Sequence, residues 1–366
     1  MQFTHIHYVP CLRWKLGEYQ GLLRLSPRTR CFLTPLIEVP RIGYDFENAT
    51  ATKTIDQHLA PFAKRVHEKW GRSACFVDLN LIEPDARMDT GIHPVRFISD
   101  CLRAKMCSFI MVTGLDRDAA YQREIRAAAI QSQSGVCLRL SIERAARGSV
   151  RQDLNSLLSE LKVDVHLCDV IVDLQAPNFL PLEGFAQAIQ AILSPFPHLK
   201  DWRSLTLLGT SFPKTMQGIR KRGEVVPRHE WQLYRTVIAD FKKAGLRLPT
   251  FGDYAISHPD GSELDWRVVK PPATIRYTID DGWYIVKGDN VRDYGFEQYH
   301  ELSRLLTSSR YYQGPSMSWG DDYIERCANG DVRTGNLSTW RQVGTNHHIE
   351  KVTRDIASFY GSSSTS

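Results

Sequence analysis

Val136-Cys137-Leu138-Arg139-Leu140, then a helix-length segment from Gln152 to Leu161, then Asp169-Val170-Ile171-Val172-Asp173-Leu174 is the stretch that decides the fold. The two short runs are apolar at nearly every position and carry a charge only near their ends. A strand with one wet face alternates apolar and polar side chains, whereas a strand buried on both faces of a parallel sheet reads as a continuous apolar run. Between them, Leu154, Leu157, Leu158 and Leu161 recur at the three- and four-residue spacing of an amphipathic helix. The stretch is therefore a strand, a crossover helix and a second parallel strand.

The same alternation extends in both directions. Strands are predicted at His7 to Leu12, Leu33 to Val39, Ala74 to Leu79, Ser108 to Thr113, Ser204 to Leu208 and Pro249 to Tyr254. Helices are predicted over Ile55 to Trp70, Val95 to Ala104, Ala119 to Ile130, Leu182 to Leu193 and Glu230 to Ala244. Eight strands in β-α order favour an α/β protein with a closed (βα)8 barrel of the TIM type. The alternative, an open doubly wound sheet, is weakened because no GxGxxG follows the first strand.

After Tyr254 the pattern changes. The turn His258-Pro259-Asp260-Gly261 and the boundary Lys270-Pro271-Pro272 divide the chain. A barrel is expected over 1–258, a linker over 259–272 and a smaller α+β cap domain over 273–360, with a disordered tail at 361–366. The cap is expected to close over the barrel mouth. It should hold a hairpin, Ala273 to Ile279 and Gly282 to Val286, and helices at Phe296 to Leu306, Asp321 to Ala328 and Trp340 to Phe359.

Composition bounds the function. A chain of 366 residues with 42% hydrophobic and 24% charged side chains can bury a large core. With 46 basic against 41 acidic residues, the net charge of +5 does not demand a nucleic-acid partner. Met1 to His7 lacks the charged and apolar regions of a secretory signal, and no run reaches the roughly 18 apolar residues of a membrane span. The eight cysteines form no CxxC pair, so neither a structural zinc site nor a thioredoxin-type centre is expected. A soluble cytoplasmic protein with no membrane association is expected, and the residues specify neither a metal site nor a cofactor.

Barrel chemistry sits at the C-terminal ends of the strands. The polar residues there are Arg13, Lys15, Glu38, Asp78, Asn80, Thr113, Arg139, Asp173, Gln175, Ser211, Lys214, Asp253 and Tyr254. Glu38, Asp78, Asp173 and Asp253 are the candidate catalytic residues, and Arg13, Lys15, Arg139, Lys214 and Tyr254 candidate ligand-binding residues. Mixed carboxylates and cations at one mouth suit an anionic ligand or acid–base chemistry, although such charges can also pair among themselves as a polar plug. Lys15-Leu16-Gly17-Glu18 places a cation at the entry of the first helix, where backbone amides favour anions. Ser211-Phe212-Pro213-Lys214 reads as a tight loop opening a helix. No GxSxG elbow or Walker loop is present.

In the C-terminal region Arg276, Asn346 and His347 complete the candidate ligand-binding set, with Arg341 beside them. Asn346-His347-His348 reads either as a group closing over a ligand or as a helix-start cap and packing residues. Adjacent histidines on a helix point about 100° apart and do not share a metal. Tyr277, Trp283, Tyr284, Tyr311, Tyr312, Trp319 and Trp340 read as a domain core or as base-stacking surfaces. The basic run Lys214 to Arg222 reads as a solvated helix end or a nucleic-acid patch.

In their order along the chain, several short blocks resemble the Beta protein family. These are Tyr8-Val9-Pro10, Lys15-Leu16-Gly17-Glu18, Pro35-Leu36-Ile37-Glu38, Arg139-Leu140, Asp173-Leu174, Ser211-Phe212-Pro213, Phe251-Gly252-Asp253-Tyr254, Arg276-Tyr277-Thr278, Gly335-Asn336, Trp340-Arg341 and Asn346-His347-His348. The resemblance implies a role in phage–host conflict, in accessory loci of bacteria, prophages and phage satellites, beside toxin-like partners. It carries no catalytic mechanism onto these residues.

Three functions follow as expectations. The first is a phage-defence or toxin–antitoxin-like protein whose barrel mouth binds an anionic small molecule or nucleotide-like ligand, with or without catalysis. The second is a non-catalytic antitoxin-like protein that neutralises a partner encoded in the same locus by direct binding, with Tyr311, Tyr312 and Trp319 as anchors. The third is nucleic-acid processing through the Lys214 to Arg222 run.

Overall fold

The computed structural model describes residues 4–45, 47–48, 50–261 and 270–361. Most of the expected linker, residues 262–269, and the expected tail beyond Gly361 lie outside the described residues.

In chain order the first strands are β1 (Tyr8–Arg13) and β2 (Leu36–Glu38), then the short hairpin β3 (Tyr44–Asp45) and β4 (Thr50–Ala51). They are followed by β5 (Cys75–Asp78), β6 (Phe109–Thr113), β7 (Val136–Ser141), β8 (Cys168–Asp173) and β9 (Ser204–Leu208). The last four are β10 (Glu224–Pro227), β11 (Thr250–Asp253), β12 (Pro272–Ile279) and β13 (Gly282–Asn290). Eight of these close a barrel in the order β1-β2-β5-β6-β7-β8-β9-β11 and back to β1. Every neighbouring pair in it is parallel. The eight predicted strands are all present, each within a few residues of its expected span, and the chain is a TIM-type (βα)8 barrel with additional α/β structure.

Two compact units divide the chain. The barrel unit is Met1–Trp14, Thr34–Gly209 and Gln232–Asp253; the second is Lys15–Leu33, Thr210–Trp231 and Tyr254–Ser366. The stretch 1–258 is thus not one contiguous body, because residues 15–33 and 210–231 group with the C-terminal part.

The barrel strands are buried along almost their whole length, as their apolar composition demands. Helix starts follow local chemistry. Asp118 accepts from the amides of Ala120 and Tyr121 at the start of Ala119–Ser132, and Thr54 with Gln57 forms a capping box on Ile55–Leu59. The single helix expected over Ile55 to Trp70 is two, Ile55–Leu59 and Phe62–Lys69. Pro61 sits at the break, where its missing N–H removes a helix hydrogen bond.

Gly135 turns the chain into β7 with φ +74°, and a Cβ there would overlap the carbonyl oxygen of Leu167. Gly135→Ala should cost about 2–4 kcal/mol, from the left-handed backbone and the backbone clash together. A shift of the urea midpoint checks this, and a midpoint like that of the unsubstituted chain would refute it.

In the second unit β10, β13 and β12 form an antiparallel sheet. The β12–β13 hairpin is the one the sequence predicts. β10 was not predicted, because four residues carry too little alternation to register as a strand. The preceding run, Lys214 to Arg222, contrary to the expected helix end, forms turns. Gly218 at φ +84° and Gly223 at φ +137° explain why the chain turns there. The expected loop-opened helix after Ser211 is likewise replaced by this loop and β10.

The core of the second unit gathers Ile275, Tyr277, Tyr299, Leu306, Ile324, Trp340 and Val343, among others. Its long helix, Leu337–Phe359, starts at Asn336, whose side chain accepts from Ser338 and Thr339 in a capping box. It is buried without a break from Val343 to Thr353, so it presents no solvent-exposed face there.

Candidate functional site

Three strands bring their ends into one row. Arg13 of β1 stands in register with Glu38 of β2, and Glu38 with Asp78 of β5. Across the barrel Asp173 ends β8 opposite Ser141 of β7. Arg139 lies two residues before Ser141 on the same face of β7, and its long side chain reaches the level of the acids.

The result is a knot around one guanidinium. Arg139 Nη1 donates to Glu38 Oε1 at 2.7 Å and to Asp78 Oδ2 at 2.8 Å. Its Nε and Nη2 donate to Asp173 Oδ2 at 2.9 and 2.8 Å. Arg13 pairs with the other oxygen of Glu38 at 3.7 Å, and Arg117 Nη2 donates to Asp78 Oδ1 at 3.0 Å. Arg117 also donates to the Asn80 side chain and lies over the Tyr121 ring. The backbone amides of Asn80 and Gln175 cap Asp78 and Asp173 at 2.9 and 2.8 Å.

Exposure separates the two signs. The side chains of Asp78, Glu38 and Asp173 are 0%, 5% and 6% exposed, whereas those of Arg139, Arg13 and Arg117 are 9%, 15% and 16% exposed. The carboxylates are buried, Arg139 is nearly so and is bonded to them, and Arg13 and Arg117 are the more exposed members. On the loops around them Arg144 pairs with Asp116, and burial with the charges of Arg87 and Arg123 lowers the His93 pKa against the pull of Asp118. Beneath the knot the Cys11 thiol is pushed well up by burial and by Glu38, with Arg139 opposing, so it is a protonated packing group.

Asp253 ends β11 and accepts from Tyr8 Oη at 2.6 Å. At the other end of the strands, Asp169 takes a close pair from Arg203 and a 2.7 Å bond from Ser204. Burial raises the Asp169 pKa even so. That end of a barrel serves stability.

The remaining candidates belong to the second unit. Lys15 is exposed at the start of the helix Leu16–Leu23, Tyr254 is buried, and Lys214 is exposed and pairs with Asp260 at 3.4 Å. The rest of the basic run is matched charge for charge: Arg220 with Glu224, Lys221 with Asp289 and Arg222 with Glu301. Asn346 accepts from the Gly320 amide and donates to the Gly21 carbonyl, joining three helices. His347 is fully buried between Asp321 and the Thr278 carbonyl, both at 2.8 Å, while His348 bonds the Thr278 hydroxyl at 2.8 Å. The two histidines sit within a helix rather than at its start and serve packing partners. Tyr312 and Trp319 pack against the core of this unit. Tyr311 lies against Tyr284 and is bonded by Arg310.

The family model described as Beta protein matches residues 8–354. The chain belongs to the Beta protein family. No curated protein matches this family member. Among solved structures it is similar to a triosephosphate isomerase from Bartonella henselae, at 11% identity and a TM-score of 0.34, over 67% of this chain and 90% of that one. The barrel assignment rests on the strand order itself. Among the described residues no helix of this family member is long and apolar enough to cross a membrane.

Arg117 at the mouth, and Tyr8, the buried first residue of β1 that donates to Asp253, are the residues that sequence reading passed over. A signal existed for the first, since Gly114-Leu115-Asp116-Arg117-Asp118 is a charged loop directly after a barrel strand. Tyr8, inside an apolar run, had none.

Proposed function

We propose that this Beta protein acts in the cytoplasm, in a phage-defence or toxin–antitoxin-like locus, by binding an anionic small molecule or nucleotide-like ligand at its barrel mouth. The observation that carries the reading is the layering of charge: Arg139 is bonded to the buried carboxylates, and the same carboxylates hold Arg13 and Arg117, whose side chains are more exposed. Guanidinium forks match phosphate and carboxylate geometry, and a fork already oriented by buried acids loses little entropy on binding. The family resemblance supplies the defence setting.

Binding is favoured over catalysis by the acids. The oxygens of Glu38, Asp78 and Asp173 accept from guanidinium and backbone N–H groups, which leaves them poorly placed to move a proton on a substrate. Glu38, Asp78 and Asp173 are accordingly proposed as holders of the cations. Asp253, bonded to Tyr8, is a candidate of its own.

The test is mass spectrometry of small molecules released from the purified chain, followed by calorimetric titration with nucleoside mono- and triphosphates. Arg117→Gln should weaken the bound anion by about ten- to a hundredfold, the worth of one charge-assisted hydrogen bond. Binding should also weaken with added salt. If no anion co-purifies and no nucleotide binds at low salt, the proposal fails.

A second reading, direct binding of a protein partner, draws on a different observation. Leu16 and Leu23, seven residues apart on one helix face, are both exposed, and Phe32 follows them on the same segment. The nucleic-acid reading gains nothing from its basic run, whose cations each face a carboxylate.

A further inference from the structure

The second unit holds a half-buried guanidinium without an ion pair among the described residues. Arg276 stands on β12, and among the described residues it makes no ion pair. Its Nε is buried without a hydrogen-bond partner. A buried charged donor left in this way is costly, and native proteins rarely tolerate one unless a ligand or ion completes it.

A second guanidinium lies alongside. A Cβ at Gly344 would come within 3.1 Å of the Arg276 carbonyl oxygen, and one turn earlier on the same helix is Arg341. Arg341 Nη1 is fixed at 2.7 Å from the Ile256 carbonyl and 3.1 Å from Ser257 Oγ. Its stem packs on Gly17, where a Cβ would come within 2.5 Å, so glycine is what lets the helix Leu16–Leu23 approach it. Arg341 is thus held beside Arg276 by three segments. The Ser257 hydroxyl in turn donates to Glu18 Oε1 at 2.9 Å, which brings one carboxylate to the neighbourhood.

We propose that Arg276 and Arg341 form an anion site for a phosphate group, free or carried on a small molecule. Arg276, Arg341 and Ser257 are all partly exposed, so a small anion can reach them. Burial, together with the charge of Arg341, pushes the Arg276 guanidinium down to about 9, with Tyr299 opposing. An anion there would reverse that strain and use two forks that match phosphate oxygens. The site shares no residue with the barrel mouth, so either can fail without the other.

The test is thermal unfolding of the full chain in rising inorganic phosphate, or AMP, at an ionic strength held constant with chloride. Saturable binding should raise the Tm by mass action. Arg276→Met should unfold at a higher temperature than the unsubstituted chain in chloride alone, because it removes a half-buried charge and its unpartnered Nε, and should lose the phosphate response. Arg276→Lys, which keeps the charge without the fork, should need about tenfold more phosphate for the same rise. A tighter response to AMP than to phosphate assigns a phosphate monoester, and the reverse assigns free phosphate. An unsubstituted chain whose Tm ignores both probes overturns the proposal whatever the variants do. So does an equal rise in Arg276→Met, which would mark a general salt effect.

Discussion

Arg139→Met is expected to destabilise the barrel unit by about 3–5 kcal/mol, the range for removing one partner from a buried ionic group. The loss should be uneven. Glu38 would keep Arg13, and Asp78 would keep Arg117, but Asp173 would lose two guanidinium bonds at once. Asp173→Asn in the Arg139→Met background should therefore restore more stability than Glu38→Gln does. Arg139→Lys should fall between, since an ammonium carries the charge but cannot span three carboxylates. The check is hydrogen exchange across Val136–Ser141 and Cys168–Asp173, with urea unfolding for the magnitude. Protection in Arg139→Met equal to that of the unsubstituted chain would refute the knot as a stabilising centre. The same variant bears on function, because Arg13 and Arg117 are oriented by the acids that Arg139 holds.

The barrel was legible because a strand buried on both faces has no choice but to be apolar, and eight such runs stood out. The acids were legible for the converse reason: Glu38, Asp78 and Asp173 are anomalies at the ends of apolar runs. Their partnership was not. Arg139 sits below the row it serves, and only its side-chain length closes the gap; Arg117 comes from a loop, whose path no periodicity encodes. The division into units was also hidden, since residues 15–33 join the second unit through contacts such as Gly17 on Arg341 that depend on tertiary packing. His347 and His348 were read as an alternative between cap and ligand group because their helix is buried all round and shows no amphipathic stripe. Its start lies back at Asn336, where the capping box is.

Asp321→Asn is expected to cost the second unit about 3–5 kcal/mol at neutral pH. Asp321 is fully buried and accepts from Tyr277 Oη at 2.7 Å and Ser318 Oγ at 2.6 Å, with His347 Nδ1 at 2.8 Å. The His347 ring also stacks on Tyr277 at 3.8 Å. An asparagine would present an N–H where one of these donors now finds an oxygen. Burial alone would raise the Asp321 pKa, but the charge of His347 and the bonds from His347, Ser318 and Tyr277 outweigh it and hold the group below its usual 3.8. The folded state therefore binds this proton less readily than the unfolded one. Its contribution is complete above the unfolded value and is lost as the pH falls through that value toward the folded one. The unsubstituted chain should lose stability on that acid limb, and Asp321→Asn, already without the carboxylate, should show a shallower slope there. Tyr277→Phe should cost less, about 1–2 kcal/mol, for one hydroxyl that donates to Asp321 and accepts from the Gln313 amide. Unfolding free energies measured from neutral to acid pH decide the matter: parallel curves for the unsubstituted chain and Asp321→Asn would show that this carboxylate is not the acid-sensitive group. A converging pair would place the acid sensitivity of the second unit at Asp321, where one carboxylate joins β12 to two helices.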